Sequence, residues 1–62
     1  MTVYDIRGYD SEDHVRSGKY TVVAEGMEDR EAAIVRARLY LGVYHAVKVQ
    51  GLGYIIILRG RK

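Results

Sequence analysis

Five consecutive apolar residues, Tyr54 to Leu58, follow directly on the turn Gly51-Leu52-Gly53 and place the strongest constraint on the fold. The run is far too short to span a bilayer, which needs roughly 20 apolar residues. A short apolar run after a glycine turn is instead typical of a β-strand. The alternating segment Val43–Gln50 supplies a partner strand, so this region predicts a hairpin whose last strand is Tyr54–Arg59.

The first half of the chain predicts another pair of strands. Residues 2–7 alternate between apolar and polar side chains, and so do residues 19–25. We expect these side chains to share one face of each strand: Tyr4 and Ile6 in strand one, and Tyr20, Val22 and Ala24 in strand two. The connection Gly8–Gly18 is polar and long for a hairpin loop, and a helical turn starting at Asp10 or Ser11 fits it.

A longer helix is expected between the two pairs of strands. Asp29 is the best N-terminal cap available, and Arg36 and Arg38 suit the negative end of the helix dipole. Gly42 fits the position just past the helix end, where a left-handed residue is favoured. The predicted fold class is therefore α+β, an antiparallel four-strand sheet with one helix packed on one face (ββαββ), in a single domain of residues 1–62.

The predicted helix has two apolar faces when its residues are spaced at about 100°. The first arc contains Ala33, Ile34, Ala37, Tyr40 and Leu41. We assign this arc to the sheet, because its alanines permit a close approach. The opposite arc, formed by Ala32, Val35 and Leu39, then faces outward and needs a cover.

Strand four raises the same problem, since Ile55 and Ile57 point away from its helix-facing side. One helix cannot cover both faces of a sheet, and an exposed strand of this kind is an aggregation hazard. A second copy of the chain is the most economical cover, so we predict a homo-oligomer, most simply a dimer. The dimer would bury either Val35 and Leu39 or the outer face of strand four, so the predicted interface residues are Ala32, Val35, Leu39, Ile55 and Ile57. The alternative is that the connection 8–18 folds over one of these surfaces.

Charge is distributed unequally along the chain. The first 31 residues contain all eight acidic residues and four basic ones, whereas the last 31 contain six basic residues and no acid. This asymmetry suggests an acidic partner, nucleic acid or head-to-tail self-association. We expect a surface that holds phosphates in a salt-sensitive manner and stacks tyrosines on bases. Its predicted residues are Arg36, Arg38, Lys48, Arg59, Arg61, Lys62, Tyr44 and Tyr54. The alternative is that these bases pair with acids of the first half, across the fold or across the dimer.

Patterns that carry catalysis or metal binding are weak in this sequence. Ser11 and Ser17 lie in the polar connection outside any nucleophile motif, and the turn at 51–53 lacks the Lys-Ser or Lys-Thr of a phosphate loop. Residues 10–14 (DSEDH) lack calcium-loop spacing, so we interpret them as a solvated acidic loop. We expect His45 on the apolar side of strand three as a core or edge residue. The sequence thus predicts no enzyme, cofactor or metal.

The segment Glu31–Ala37 (EAAIVRA), continued through Leu41-Gly42 and followed by a glycine-turned hairpin, resembles small accessory proteins of phages and mobile elements. Some anti-CRISPR proteins of similar length share this order of strands and helix. The resemblance covers most of the chain and concerns layout alone. It implies a non-enzymatic blocker of a nucleoprotein machine, whose basic face lies where nucleic acid or an acidic surface would bind.

Together these patterns predict a cytoplasmic, non-enzymatic binding module that acts as a homo-oligomer. We expect it to engage an acidic macromolecule, either nucleic acid or a nucleoprotein, through its basic C-terminal half. No membrane partner is expected. The alternatives are a phage-type inhibitor that binds a host protein complex and a structural protein that assembles with itself.

Overall fold

The computed structural model describes residues 3–60, which form a four-stranded antiparallel sheet and two α-helices. In chain order the elements are β1 Tyr4–Tyr9, α1 Glu12–Ser17, β2 Thr21–Met27, α2 Arg30–Tyr40, β3 Ala46–Gly51 and β4 Tyr54–Arg59. The strand order is β2-β1-β3-β4, so β2 and β4 are the edges of the sheet. The α+β class and the antiparallel four-strand sheet are confirmed. The single-helix layout is not, because a second helix, α1, occupies the connection between β1 and β2.

Helix α1 forms because both of its ends are capped by local residues. The Ser11 hydroxyl accepts a hydrogen bond from the His14 backbone N–H at 3.2 Å. Gly18 ends the helix in the left-handed conformation, with φ of 80°, and its N–H donates to the His14 carbonyl at 2.9 Å. The expected helical turn beginning at this serine is therefore confirmed.

Helix α2 begins where the sequence predicts. An oxygen of the Asp29 side chain accepts hydrogen bonds from the backbone N–H groups of Glu31, at 2.9 Å, and of Ala32, at 3.4 Å. These bonds satisfy two donors that the first turn of a helix leaves without intrahelical partners.

The end of α2 differs from the prediction. The cap residue is Leu41, with a right-handed φ of −66°, and Gly42 does not adopt a left-handed conformation. Instead the backbone N–H groups of Val43 and Tyr44 both donate to the Tyr40 carbonyl, at 3.0 and 2.9 Å. The predicted glycine cap is thus wrong, because consecutive tight turns satisfy the terminal carbonyl.

The core lies between α2 and one face of the sheet. Ile6, Val47 and Val49 of the sheet are fully buried together with Ala33 and Ala37 of the helix. The two alanines bring the helix backbone close to the strands, as the first apolar arc predicts. Half-buried residues surround this cluster: Tyr4, Val23, Ala24, Met27, Tyr40, Leu41, Tyr44, Tyr54, Ile56 and Leu58.

Strand β2 contains an irregularity that changes which side chains share a face. Ala24 pairs with Ile6 and Val22 pairs with Arg7, so Val23 is an extra residue between two pairs. Val23 and Ala24 both pack against the core, whereas Val22 is 50% exposed. The prediction that Tyr20, Val22 and Ala24 share one face is therefore wrong. Both first strands also begin later than predicted, and Thr2 lies outside the described residues.

Strand β3 begins at Ala46, because the turns that end α2 extend through the preceding residues. Val43 is consequently 66% exposed, and His45 precedes the strand, so its predicted place on the apolar side of strand three is wrong. The bounds of β4 are confirmed, and the hairpin turn is formed by Leu52 and Gly53, with φ of 73° at the glycine.

Candidate functional site

The side of the sheet opposite α2 carries a mixed polar and apolar surface, which we call the open face. Because side chains alternate along a strand, it presents the residues between those of the core. Strand pairing aligns them in two rows across β1, β3 and β4. The rows are Asp5, Gln50 and Ile55, followed by Arg7, Lys48 and Ile57.

Arg7 is the most constrained side chain of the open face. Its Nη1 donates a hydrogen bond to the Gln50 side-chain oxygen at 3.1 Å, and its Nη2 lies 3.9 Å from the Asp5 carboxylate. Its guanidinium carbon stands 4.4 Å from the centre of the Tyr20 ring, within cation–π distance. The Arg7 Nε is buried and has no hydrogen-bond partner in residues 3–60. These contacts hold a cationic plane in a fixed position at the middle of the sheet.

Lys48 stands directly beside this arginine, because β1 and β3 pair Arg7 with Lys48. Like charges at directly opposite positions of neighbouring strands are destabilising in an isolated sheet. Within the described part of the chain, Lys48 forms no ion pair that would compensate. The centre of the open face therefore favours an anion.

One end of the open face is closed by an ion cluster that joins α1 to β4. The Glu12 carboxylate accepts hydrogen bonds from Arg59 Nε at 3.3 Å and Nη2 at 3.4 Å, and its Oε1 lies 3.0 Å from His45 Nε2. The Arg59 hydrogen bonds, followed by the contact with His45, hold the pKa of Glu12 below its ordinary value. The ionised carboxylate offsets much of the positive charge at this end.

Apolar side chains flank the central cations on both edge strands. Ile55 is 63% exposed and Ile57 is 40% exposed on β4, while Tyr20 and Val22 are exposed beside β1. The open face thus combines a cationic centre with apolar margins, a composition suited to binding another molecule.

The predicted basic residues do not form a single patch. Lys48 and Arg59 lie on the open face, whereas Arg36 and Arg38 lie on α2, across the sheet. Arg61 and Lys62 lie outside the described residues.

The two predicted tyrosines lie on the α2 side of the sheet. The Tyr44 ring packs over Gly8, where an added Cβ would come within 2.8 Å of it. Tyr54 meets Tyr4 edge to face at 5.6 Å, and Arg30 stands 5.3 Å from its ring centre. Neither ring is available for stacking beside Lys48.

Sequence reasoning missed the residues that organise the open face. Arg7 and Tyr20 are outside the predicted basic surface because they lie in the half of the chain that contains the acids, and Gln50 is outside it because it carries no charge. The alternation of residues 2–7 places Arg7 on the face opposite Tyr4 and Ile6, and this is the sequence signal that points to it. The pairing of β1 with β3, which brings it beside Lys48, carries no local sequence signal.

A second surface lies on the outer side of α2. Its centre is the apolar stripe formed by Ala32, Val35 and Leu39, and we call it the helix stripe. Val35 is 58% exposed and Leu39 is 72% exposed, in agreement with the expected outward arc. Met27 lines the same open groove, whose volume is about 450 Å³. The helix stripe and the open face are on opposite sides of the molecule, so one flat interface cannot bury both.

The acidic loop predicted at residues 10–14 is divided among separate ion contacts. Asp10 lies 4.0 Å from His14, and Asp13 lies 3.9 Å from Arg16. Glu12 is turned toward β4. Among residues 3–60 no group of three or more histidine and carboxylate side chains is placed to hold a metal ion.

Comparison with protein-family models, with curated protein sequences and with solved structures finds no match for this chain. The resemblance to small phage accessory proteins therefore stays a prediction. Neither helix of the described segment has the length and apolar character that crossing a membrane requires.

Proposed function

We propose that this protein is a non-enzymatic binding module that engages an acidic macromolecule, single-stranded nucleic acid, on the open face of its sheet. The observation that carries the proposal is the pairing of Arg7 with Lys48 at the centre of that face. Two cations held side by side without full compensation favour a ligand with closely spaced negative charges, such as successive phosphates.

The surroundings of this pair support a strand of nucleic acid. An open β-sheet is a platform on which unpaired bases lie, and arginine planes and aromatic rings are the groups on which they stack. Arg7 and Tyr20 supply such planes on this face, and Gln50 carries an amide able to hydrogen-bond a base edge. Binding depends on charge and stacking, so little sequence preference is expected.

An acidic protein surface is the second candidate ligand. The exposed Ile55 and Ile57 beside Lys48 favour it, because exposed apolar side chains next to charged ones are typical of protein interaction sites. This ligand corresponds to the phage-type inhibitor that the order of strands and helix suggests.

Self-association is the second part of the proposal. In residues 3–60 nine large apolar side chains are exposed, whereas seven apolar residues form the buried core. A domain of this size has a small stability margin, and oligomerisation is a common way to increase it. A purely structural, self-assembling protein would share this property but would not bind nucleic acid.

A gel-shift titration with a labelled single-stranded oligonucleotide tests the ligand class. We expect a shift at about 50 mM salt that weakens at about 200 mM salt. No shift at the lower salt would remove the nucleic-acid proposal and leave the acidic protein as the ligand to test.

A further inference from the structure

The helix stripe has charges arranged in a self-complementary way. Residues seven apart lie on the same side of a helix, so Asp29 and Arg36 border one edge of the stripe, and Glu31 and Arg38 border the other. On each edge the acid is near the N-terminal end of α2 and the base is near its C-terminal end.

The two bases are not compensated within one subunit. In the described part of the chain, neither Arg36 nor Arg38 forms an ion pair or side-chain hydrogen bond, and both are exposed. The acids have only local contacts: Asp29 caps the helix, and Glu31 lies 3.5 Å from Arg30. The uncompensated arginines therefore remain available for acids on a second molecule.

We propose that α2 docks antiparallel against α2 of a second copy of this chain, with the helix stripe at the centre of a two-fold interface. This inference rests on the proposed self-association and names the surface that performs it. An antiparallel arrangement with the axis near Ala33 places Ala32 against Val35 of the second copy, and the reverse. The small Ala32 permits the two helices to approach closely, and Leu39 meets Met27 of the second copy, which lines the same groove.

The same arrangement makes both charged edges attractive. Asp29 faces Arg36 of the second copy, and Glu31 faces Arg38 of the second copy, so the two-fold axis generates four opposite-charge pairs. A parallel arrangement would place like charges at the same level on the two helices. A shift of the antiparallel axis toward the C-terminal end would bring Arg36 against its own symmetry mate. Charge therefore selects both the direction and the register.

The dimer would be a weak one. An α-helix rises about 1.5 Å per residue, so the eleven residues of α2 offer a contact about 16 Å long. Such an interface is at the small end of specific protein contacts, and we expect dissociation at micromolar concentration. Because α2 lies across the sheet from Lys48, the dimer leaves both open faces free on its outer sides.

A charge-exchange experiment tests this interface. Glu31→Arg alone would place two positive charges face to face, because position 31 faces Arg38 of the second copy. Arg38→Glu alone would place two negative charges face to face, at Glu31 of the second copy. Each variant should therefore dimerise at least about tenfold more weakly than the wild type. When the two variants are mixed, every facing pair is again of opposite charge. Sedimentation velocity should then show a heterodimer as stable as the wild-type dimer. Recovery on mixing requires folded chains, and a simple folding defect would not produce it.

Two variants outside the helix stripe serve as controls. Lys19→Glu changes the net charge by the same amount as Arg38→Glu, and Ile57→Lys alters the open face. Both should leave the dimer intact. Arg36→Glu, which opposes Asp29 of the second copy, should weaken it and serves as an independent second variant. A wild type that stays monomeric at high micromolar concentration would overturn the self-association and leave nucleic-acid binding unaffected. If the wild type dimerises but Glu31→Arg and Arg38→Glu leave the dimer unchanged, the α2 interface is wrong. The same conclusion follows if Ile57→Lys dissociates the dimer. Neither result would bear on nucleic-acid binding.

Discussion

Replacing Lys48 with glutamine should reduce the salt dependence of nucleic-acid binding by a predictable amount. The open face carries three cations, of which Arg59 is hydrogen-bonded twice to the Glu12 carboxylate. Arg7 has only a longer contact with a carboxylate, 3.9 Å from Asp5, and Lys48 has no ion pair in the described residues, so we count these two as available to phosphates. For a single strand, the slope of log affinity against log salt is about −0.7 for each phosphate neutralised. Two cations give a slope of about −1.4, and removing Lys48 reduces it to about −0.7.

These slopes correspond to measurable ratios of affinity at two salt concentrations. Between about 50 and about 200 mM salt the wild type should lose about sevenfold in affinity, and Lys48→Gln should lose about threefold. Fluorescence anisotropy with a labelled oligothymidine of about ten nucleotides measures both slopes. Arg36→Gln removes the same charge from α2 and is the matched control, with an unchanged slope expected. Equal slopes for the wild type and Lys48→Gln would refute the proposal that the open face binds the nucleic acid. A slope reduced only in Arg36→Gln would refute it too.

Three further predictions concern the fold that supports this face. Gly51→Ala would place a Cβ 2.5 Å from the Tyr4 ring, so urea denaturation should show a loss of about 1–3 kcal/mol, as overpacking produces; an unchanged midpoint would contradict the close packing. Asp29→Ala removes the α2 cap and should cost about 1 kcal/mol in the same assay, and no loss would show that the cap is dispensable. Because Arg59 lowers the pKa of Glu12 in the folded state, the ionised carboxylate stabilises the fold above the ordinary value of 4.5, and this stability is lost as the pH falls through the lowered pKa. Glu12→Gln should therefore abolish that part of the acid-induced loss in thermal melts, and identical melting profiles at all pH values would disprove the coupling.

Local patterns were enough to predict the parts of this fold that depend on neighbouring residues. The α2 cap at Asp29 and the alternation of β4 are such features, since one depends on adjacent hydrogen bonds and the other on a single strand. The separation of α2 into a buried arc and an exposed helix stripe also follows from helical spacing alone.

Features that depend on pairing between distant strands could not be predicted from local sequence patterns. Val23 is an extra residue of β2 only because of how β2 pairs with β1. Its insertion moves the side chains of the preceding residues to the other face of the sheet. The C-terminal cap of α2 is Leu41, and the turns that follow it extend to residue 45. Strand β3 therefore begins only at Ala46, and His45 lies before it. The meeting of Arg7 with Lys48 depends on register across 41 residues of chain, so charge counting along the sequence missed it.

Chemical-shift mapping by NMR would show whether single-stranded nucleic acid binds on the open face. Amide signals of the 62-residue chain would be followed while an oligothymidine of about ten nucleotides is added at low salt. We expect the largest changes at Arg7, Lys48, Gln50 and Ile57, with the α2 signals nearly unchanged. Changes concentrated on Arg36 and Arg38, or no changes at excess oligonucleotide, would show that the open face does not bind nucleic acid.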